Sequence, residues 1–169
     1  MHVVMLSDTQ QKGGAAVANR RLAQALHDQG HRITYVVCEP DLHERPWATR
    51  LLRIRRRALR SRIAMRLTNR RPLPACDRRD LALSLADLLG ELQPDVVNIH
   101  NLHAFTWAGW SVDLVRVCSR HAPAVWTLHD IWSFTGRCAC DSGCRKFIEG
   151  CDASCPTADE YPALPPEQI

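Results

Sequence analysis

The sequence predicts an α/β protein built on an open, doubly wound sheet of parallel strands. Short apolar runs of strand type alternate along the chain with segments whose apolar residues recur at helical spacing. Turn-forming glycine and proline residues stand between them. A helix that connects two strands makes a crossover, and crossovers of this kind imply parallel strands. With 169 residues the chain can form one hydrophobic core, and we expect a single domain over residues 1–169.

The first strand–helix–strand unit covers residues 2–38. The apolar run "HVVML" (2–6) predicts a strand, and the polar turn "SDTQQKGG" follows it. A helix is predicted next, and Gly30 stands at its expected C-cap. The residues on the expected core face of this helix are Ala18, Leu22, Ala25 and Leu26. In "HRITYVVC" (31–38) apolar residues alternate, which predicts the second strand.

The second half of the chain repeats this order. Asp77 is the predicted cap of a helix that Pro94 ends. The leucines on one face of that helix are Leu81, Leu85, Leu88, Leu89 and Leu92. The segment "DVVNIH" (95–100) predicts a strand, and "PAVWTLHD" (123–130) predicts another. The residues that mark a helical face between these strands are Trp110, Leu114, Val117, Cys118 and His121.

Residues 45–79 form an arginine-rich segment that we predict to be helical. It holds 13 of the 20 arginines and a single acid, Asp77. Two interpretations stay open: contact with an anionic membrane surface, or a solvated helix. A nucleic-acid-binding module is a rival function. From Arg50 to Arg79 the segment has no interleaved aromatic residues, and it has no helix-turn-helix or zinc-finger spacing, so we expect no nucleic-acid partner.

Polar residues follow three of the predicted strands, at the edge where doubly wound sheets bind ligands. Gly13 and Gly14 precede the first helix, whose free N–H groups could receive an anion; an ordinary tight turn is the alternative. "HNLH" supplies His100, Asn101 and His103, which suit hydrogen bonds to a polar ligand better than metal binding.

His129 and Asp130 follow the last predicted strand. A histidine beside an aspartate can hold a sugar hydroxyl or act as a base with its orienting group. No serine or cysteine nucleophile pattern accompanies the pair, so hydrolase chemistry has little support.

The loop "GRCACDSGCRKFIEGCDASCP" (136–156) carries five of the eight cysteines. No signal peptide and no run of 18 apolar residues is visible, so we expect a cytoplasmic protein with reduced thiols. A tetrahedral zinc site and free buried thiols are the main alternatives, and disulfides or redox work the lesser one. A zinc-dependent interaction module resting on this loop alone would not explain the strand–helix pattern.

Three stretches together resemble family-4 glycosyltransferases of the bacterial exopolysaccharide and colanic-acid type. They are "GGAAVANRRLAQALHDQGHRITYVV", "PDVVNIHNLH" and "VWTLHDIWSFTGRC" with the cysteines that follow. The resemblance implies the Rossmann-like N-terminal half of a GT-B fold, which mainly holds the acceptor. It further implies transfer from a nucleotide-sugar to a glycan or lipid-linked acceptor, with retained anomeric configuration and no cofactor or metal for catalysis.

The resemblance also implies roles for individual residues. His129 matches the histidine that approaches the donor sugar, and Asp130 is its neighbour. Gly13 and Gly14 match the loop near the donor diphosphate and acceptor. The residues expected to line the acceptor side are His100, Asn101, His103 and Trp132. The cysteines that match the family pattern, as candidate structural zinc ligands, are Cys138, Cys144, Cys151 and Cys155.

The resemblance raises two expectations about the protein as a whole. The donor-binding second domain and its glutamate motif are absent from these 169 residues, so we expect a fragment or split subunit that is inactive alone. The arginine-rich segment 45–79 would face the inner surface of the cytoplasmic membrane, as a peripheral contact.

Overall fold

The computed structural model describes residues 1–10, 13–39, 43–53, 75–103, 110–135, 138–152 and 154–156, with the backbone alone for 75–77. The chain divides into two compact units, Met1–Thr127 and Leu128–Ile169. Much of the arginine-rich segment (residues 54–74) lies outside the described residues, as do residues 136, 137 and 153 of the cysteine loop.

The unit Met1–Thr127 contains a sheet of five parallel strands, which confirms the predicted fold class. The strands are β1 (His2–Leu6), β2 (Arg32–Val37), β3 (Ala48–Leu51), β4 (Val96–Ile99) and β5 (Ala124–Trp126). Their order is β3-β2-β1-β4-β5, so the strand order reverses next to β1. The crevice at such a reversal is where open α/β sheets bind ligands.

The structure describes three helices that connect the strands of this unit. They are α1 (Gly13–Asp28), α2 (Ala75–Leu92) and α3 (Asp113–His121). In the unit Leu128–Ile169 the structure describes two short helices, α4 (Trp132–Thr135) and α5 (Lys146–Glu149).

The larger part of the core lies between the sheet and the helices α2 and α3. The predicted leucine face of α2 is confirmed, because Leu81, Leu85 and Leu89 are at most 1% exposed and Leu88 and Leu92 pack beside them. Burying a leucine side chain fully stabilises the fold by about 1.5–3 kcal/mol. Leu114 and Cys118 of α3 join the same cluster. Trp110 is buried in it too, but it precedes α3 instead of belonging to the helix.

The predicted core face of α1 is largely wrong. Ala18, Leu22 and Ala25 are exposed, and the residues that face the sheet are Ala16, Asn19 and Ala23, with Leu26 partly buried. The prediction followed the larger apolar side chain at position 22. The small side chains of Ala16 and Ala23 instead allow the helix to lie close to the sheet.

Residues 48–51 form strand β3, so the prediction of a helix over 45–79 is wrong there. Ala48 to Leu51 pair in register with Thr34 to Val37, and the Leu52 N–H donates to the Val37 carbonyl at 2.8 Å. Trp47 and Leu52 on either side are buried. These two buried side chains fix the segment against the sheet, and its exposed residues between them hid it in the sequence.

Two boundaries and one core assignment also differ from the predictions. Strand β5 ends at Trp126 and not at Asp130, as the sequence predicts. The N–H of the next residue, Thr127, makes the last backbone hydrogen bond between β5 and β4, to the Ile99 carbonyl at 2.8 Å. The structure describes helix α2 from Ala75, so the backbone of Asp77 lies inside the helix and not at the cap position that the sequence predicts. His121 at the end of α3 is exposed and belongs to no core face.

Candidate functional site

The loop that follows β1 connects three strands at the carboxyl edge of the sheet. The Ser7 N–H donates to the Val36 carbonyl of β2 at 3.1 Å. The Asp8 N–H donates to the Asn101 carbonyl after β4 at 2.9 Å, and the Cys38 N–H donates to the Asp8 carbonyl at 3.1 Å. The loop is therefore held between the segments that follow β2 and β4, which brings "HNLH" next to the turn that leads to Gly13.

His100 is buried directly after β4 and has a fixed hydrogen-bond partner. The amide Nδ2 of Asn98 donates to the Val125 carbonyl and to Thr127 Oγ1, each at 3.1 Å. The Oδ1 of Asn98 must then accept, and His100 Nε2 lies 2.5 Å from it. His100 Nε2 therefore carries a proton in this network.

The remaining residues of "HNLH" differ in exposure. His103 is 5% exposed and Leu102 is in the core, whereas Asn101 is partly exposed. The Nε1–H of Trp126 donates to the His100 carbonyl at 3.2 Å, so the segment is held from β5 as well. Asn101 is thus the residue of this segment that presents its side chain nearest to solvent.

The glycine pair opens helix α1 with free space around it. Gly13 has a φ of 87°, a conformation that favours glycine, and a Cβ at either Gly13 or Gly14 would meet no atom within 4 Å. Both residues are exposed. Among the described residues of this unit, nothing covers the N-terminus of this 16-residue helix, whose N–H groups favour an anion.

Two polar residues that the sequence interpretation missed lie buried beside this turn. Gln10 and Asn19 are both 0% exposed. The Gln10 Nε2 donates to Thr49 Oγ1 at 3.4 Å, and Arg20 of α1 donates to the Gln10 carbonyl. Within the described chain, Gln10 Oε1 and both amide atoms of Asn19 have no hydrogen-bond partner. For Asn19 the sequence did contain a signal, because this polar residue shares one face of the predicted helix with Ala16 and Ala23.

The thiol of Cys38, at the end of β2, is close to this edge but is no nucleophile. Burial raises the pKa of Cys38 to about 11, and the positive charge of Arg53 offsets this only in part. Arg53 Nε donates to the Cys38 carbonyl at 2.6 Å. At neutral pH the thiol stays protonated.

In the unit Leu128–Ile169, His129 and Asp130 lie in a bend before α4, both partly buried. The Asp130 Oδ1 accepts a hydrogen bond from the Trp132 N–H at 3.0 Å. Asp130 therefore orients the first turn of α4 and with it the position of Trp132. The Ile131 N–H donates to the Ala139 carbonyl at 3.2 Å, which ties this bend to the cysteine loop.

Cys140 is the exposed cysteine of the loop, and Cys138, Cys144, Cys151 and Cys155 are partly buried. The Lys146 N–H donates to the Cys144 sulfur at 3.5 Å, and the Lys146 ammonium pairs with Asp152 at 2.8 Å. Among the described residues, no group of three or more His, Cys, Asp or Glu side chains is placed to hold a metal ion. Zinc binding by Cys138, Cys144, Cys151 and Cys155 stays a prediction.

Comparison with known proteins accounts for these features together. The model of Glycosyltransferase Family 4 matches residues 12–153 of the chain. The chain belongs to this family. The matched region runs from the glycine turn through "HNLH" and the His129–Asp130 bend into the cysteine loop. The family resemblance seen in the sequence is confirmed.

A curated relative is WcaC of Escherichia coli (strain K12), whose name describes a colanic acid biosynthesis glycosyl transferase. It is 44% identical to this chain over 77 residues. The match covers 42% of this chain and 18% of the length of WcaC. None of the helices in the described part of this family member is long and apolar enough to cross a membrane.

Proposed function

We propose that this protein takes part in the transfer of a sugar from a nucleotide-sugar to a glycan or lipid-linked acceptor in polysaccharide biosynthesis. Membership of glycosyltransferase family 4 and the name of the relative WcaC support the reaction class and the process. The nucleotide would be bound mainly by a second domain of the GT-B type, as the family resemblance implies.

The observation that carries this proposal is the hydrogen-bonded carboxyl edge of the sheet. Buried polar loops after β1 and β4 hold one another through the Asp8–Asn101 bond, beside the open N-terminus of α1. A rigid edge of this kind offers polar groups to a ligand without reorganisation, which favours the binding of a sugar with many hydroxyl groups.

Within this proposal the acceptor contacts Asn101 and the neighbouring "HNLH" backbone. His100 has its Nε2–H committed to Asn98, so its role is to fix the shape of the segment. The positive end of α1 at Gly13 and Gly14 favours negative charge on the bound substrates.

His129 and Asp130 are the proposed catalytic pair. The His129 imidazole would contact the donor sugar, and Trp132 would line the site. The bond from the Trp132 N–H to Asp130 gives Asp130 a positioning function as well. We propose retention of the anomeric configuration without a catalytic metal.

A transfer assay tests the function. The chain, joined or mixed with the donor-binding domain that the family resemblance implies, is incubated with radiolabelled nucleotide-sugars and lipid-linked glycan acceptors. The linkage of the product is determined by NMR. We expect His129→Ala to lose transfer by about 100-fold or more. His121→Ala, at an exposed position of α3, should keep the rate. Equal rates for both variants would contradict the assignment of His129.

We also propose that the arginine-rich segment contacts an anionic membrane surface on the cytoplasmic side. Each arginine near such a surface contributes about 1 kcal/mol of binding free energy. Flotation with anionic and neutral vesicles tests this. Binding that is equal for both vesicle types would argue against an electrostatic contact.

A further inference from the structure

His2 lies at the amino edge of the sheet, opposite the carboxyl edge that carries the proposed site. It is the first residue of β1 and is 6% exposed. Two hydrogen bonds fix its backbone: the His2 N–H donates to Asp95 Oδ2 at 2.6 Å, and the His2 carbonyl accepts from the Asp95 N–H at 2.9 Å. The imidazole ring therefore has a defined place beside β2 and the end of α2.

Both ring nitrogens of His2 have polar neighbours. Nε2 lies 2.9 Å from Oγ1 of Thr34 in β2. Nδ1 lies 2.6 Å from Nη2 of Arg32, also in β2, and 3.0 Å from the carbonyl oxygen of Leu92, the last residue of α2. A guanidinium only donates hydrogen bonds and a carbonyl only accepts them. The two neighbours of Nδ1 therefore need opposite roles of this nitrogen, and one protonation state of the ring serves only one of them.

The protonation state of the ring selects the neighbour of Nδ1. In the neutral ring with its proton on Nε2, that nitrogen donates to Thr34 Oγ1 and the lone pair of Nδ1 accepts from Arg32. The other neutral tautomer would set an Nδ1–H against the guanidinium N–H, so Arg32 disfavours it. In the imidazolium, Nδ1–H donates to the Leu92 carbonyl and cannot accept from Arg32. The contact with Thr34 is the same in both states, so the exchange needs no rotation of the ring.

We propose that His2 is a pH-dependent switch that exchanges the hydrogen-bond partner of its ring between Arg32 and the C-terminal end of α2. At neutral pH the Arg32 guanidinium donates to Nδ1. In acid, Nδ1 takes up a proton from solvent and donates to the Leu92 carbonyl instead. The guanidinium is then released, and its positive charge repels the imidazolium. This inference does not rest on the proposed transfer reaction, and either can fail without the other.

The groups around the ring set the direction of the pH dependence. Burial, and next the positive charge of Arg32, lowers the pKa of His2 below its usual value of 6.5. The Leu92 carbonyl and the Asp95 carboxylate act in the opposite direction, and the Met1 amino group adds to the lowering. The ring is therefore neutral at neutral pH, and the exchange takes place below pH 6.5. Further titratable side chains that line the same edge are His27, His31, Arg50 and Glu91.

An NMR titration of the 169-residue chain tests the switch. The imidazole nitrogens of His2 and the guanidinium signals of Arg32 are followed from neutral pH into acid, while dispersed amide signals of β1 report that the chain stays folded. We expect the Nε2–H form of His2 at neutral pH, and a change of the Arg32 signals with the same midpoint as the His2 ring. Arg32→Gln removes the opposing charge and should raise the proton affinity of His2 by about threefold or more. Arg116→Gln, at an exposed position of α3, is the matched control and should leave the His2 midpoint unchanged.

Three outcomes would overturn the proposal. One is a His2 ring that carries its proton on Nδ1 at neutral pH, because that form cannot accept from Arg32. A second is a set of Arg32 signals that stays unchanged while His2 titrates. The third is a ring that stays neutral until the chain unfolds. Arg32 is exposed, so the fold should tolerate glutamine there; all three outcomes are read in the wild-type chain and hold even where that variant fails to fold.

Discussion

Replacing Asn98 by alanine tests how the strand end that carries His100 is held. The Asn98 side chain is 7% exposed and joins β4 to β5 and to the His100 ring. Alanine at this position removes the bonds to the Val125 carbonyl, to Thr127 Oγ1 and to His100 Nε2. The chain would keep its strand, since Ala fits a strand position between buried neighbours.

The expected cost follows from the groups that lose their partners. A hydrogen bond contributes about 1 kcal/mol net, and a buried group left unpaired costs about 1–3 kcal/mol. The His100 N–H and the Val125 carbonyl are the groups left unpaired. We therefore expect Asn98→Ala to lower the unfolding free energy by about 3 kcal/mol, with a fall in Tm of about 10 °C.

Urea unfolding followed by tryptophan fluorescence measures this cost. Asn101→Ala is the control, because the Asn101 side chain makes no hydrogen bond among the described residues; we expect it to cost about 0.5 kcal/mol or less. NMR of the imidazole nitrogens should show the Nε2–H form of His100 in the wild type and in Asn101→Ala. A cost for Asn98→Ala as small as that of the control, with an unchanged His100 ring, would refute the reasoning.

Three further predictions concern the turn, the thiols and the pH dependence. Gly13→Ala should lower the unfolding free energy by about 1 kcal/mol, because Gly13 has a φ of 87°. Gly14→Ala should change the unfolding free energy by less than about 0.5 kcal/mol. Equal costs of the two substitutions in urea unfolding would contradict this. A maleimide should label the exposed Cys140 first and Cys118 only after unfolding, because burial raises the pKa of Cys118 to about 12; mass spectrometry of the labelled peptides decides. Burial, and less so a neighbouring arginine, lowers the pKa of His2. The folded state thus favours the neutral form of His2. The stability that neutral His2 contributes is fully present above about pH 6.5 and is lost as the pH falls through the pKa of the folded state. A His2→Gln variant that keeps the same pH dependence of unfolding would contradict this.

The strands and the large leucine face could be predicted from the sequence because their signals are local. In α2, Leu81, Leu85 and Leu89 recur at helical spacing and are all buried. In α1 the same reasoning selected Leu22, which is 39% exposed, over the buried Ala16. Small residues that allow close packing give a weak apolar signal, so the face of such a helix is decided by the sheet beneath it.

Strand β3 was missed because its own residues are exposed. Its place is decided by the pairing with β2 and by the burial of Trp47 and Leu52 at its ends. These are contacts with residues distant in the sequence. The sequence pattern of the arginine-rich segment does not contain these contacts, so it did not indicate the strand.

The position of the candidate residues at the carboxyl edge of the sheet could be predicted, because polar residues after parallel strands gather at one edge. His100 and Asn101 were identified in this way. The hydrogen-bond partner of His100 was not identified from the sequence. That partner, Asn98, lies inside a predicted strand, and its side chain bonds to residues of the neighbouring strand region, Val125 and Thr127. The buried amide of Asn19 was hidden by the apolar pattern of its helix.

The most direct test of the central claim is to map where a glycan binds. An exopolysaccharide oligosaccharide is titrated into the ¹⁵N-labelled chain, and backbone amide shifts are recorded. The account predicts that the largest shifts in the unit Met1–Thr127 fall at Asp8, Gly14 and Asn101, at the carboxyl edge of the sheet. Unchanged signals there, with the largest shifts at Gly30 and Gln93 of the amino edge, would contradict it.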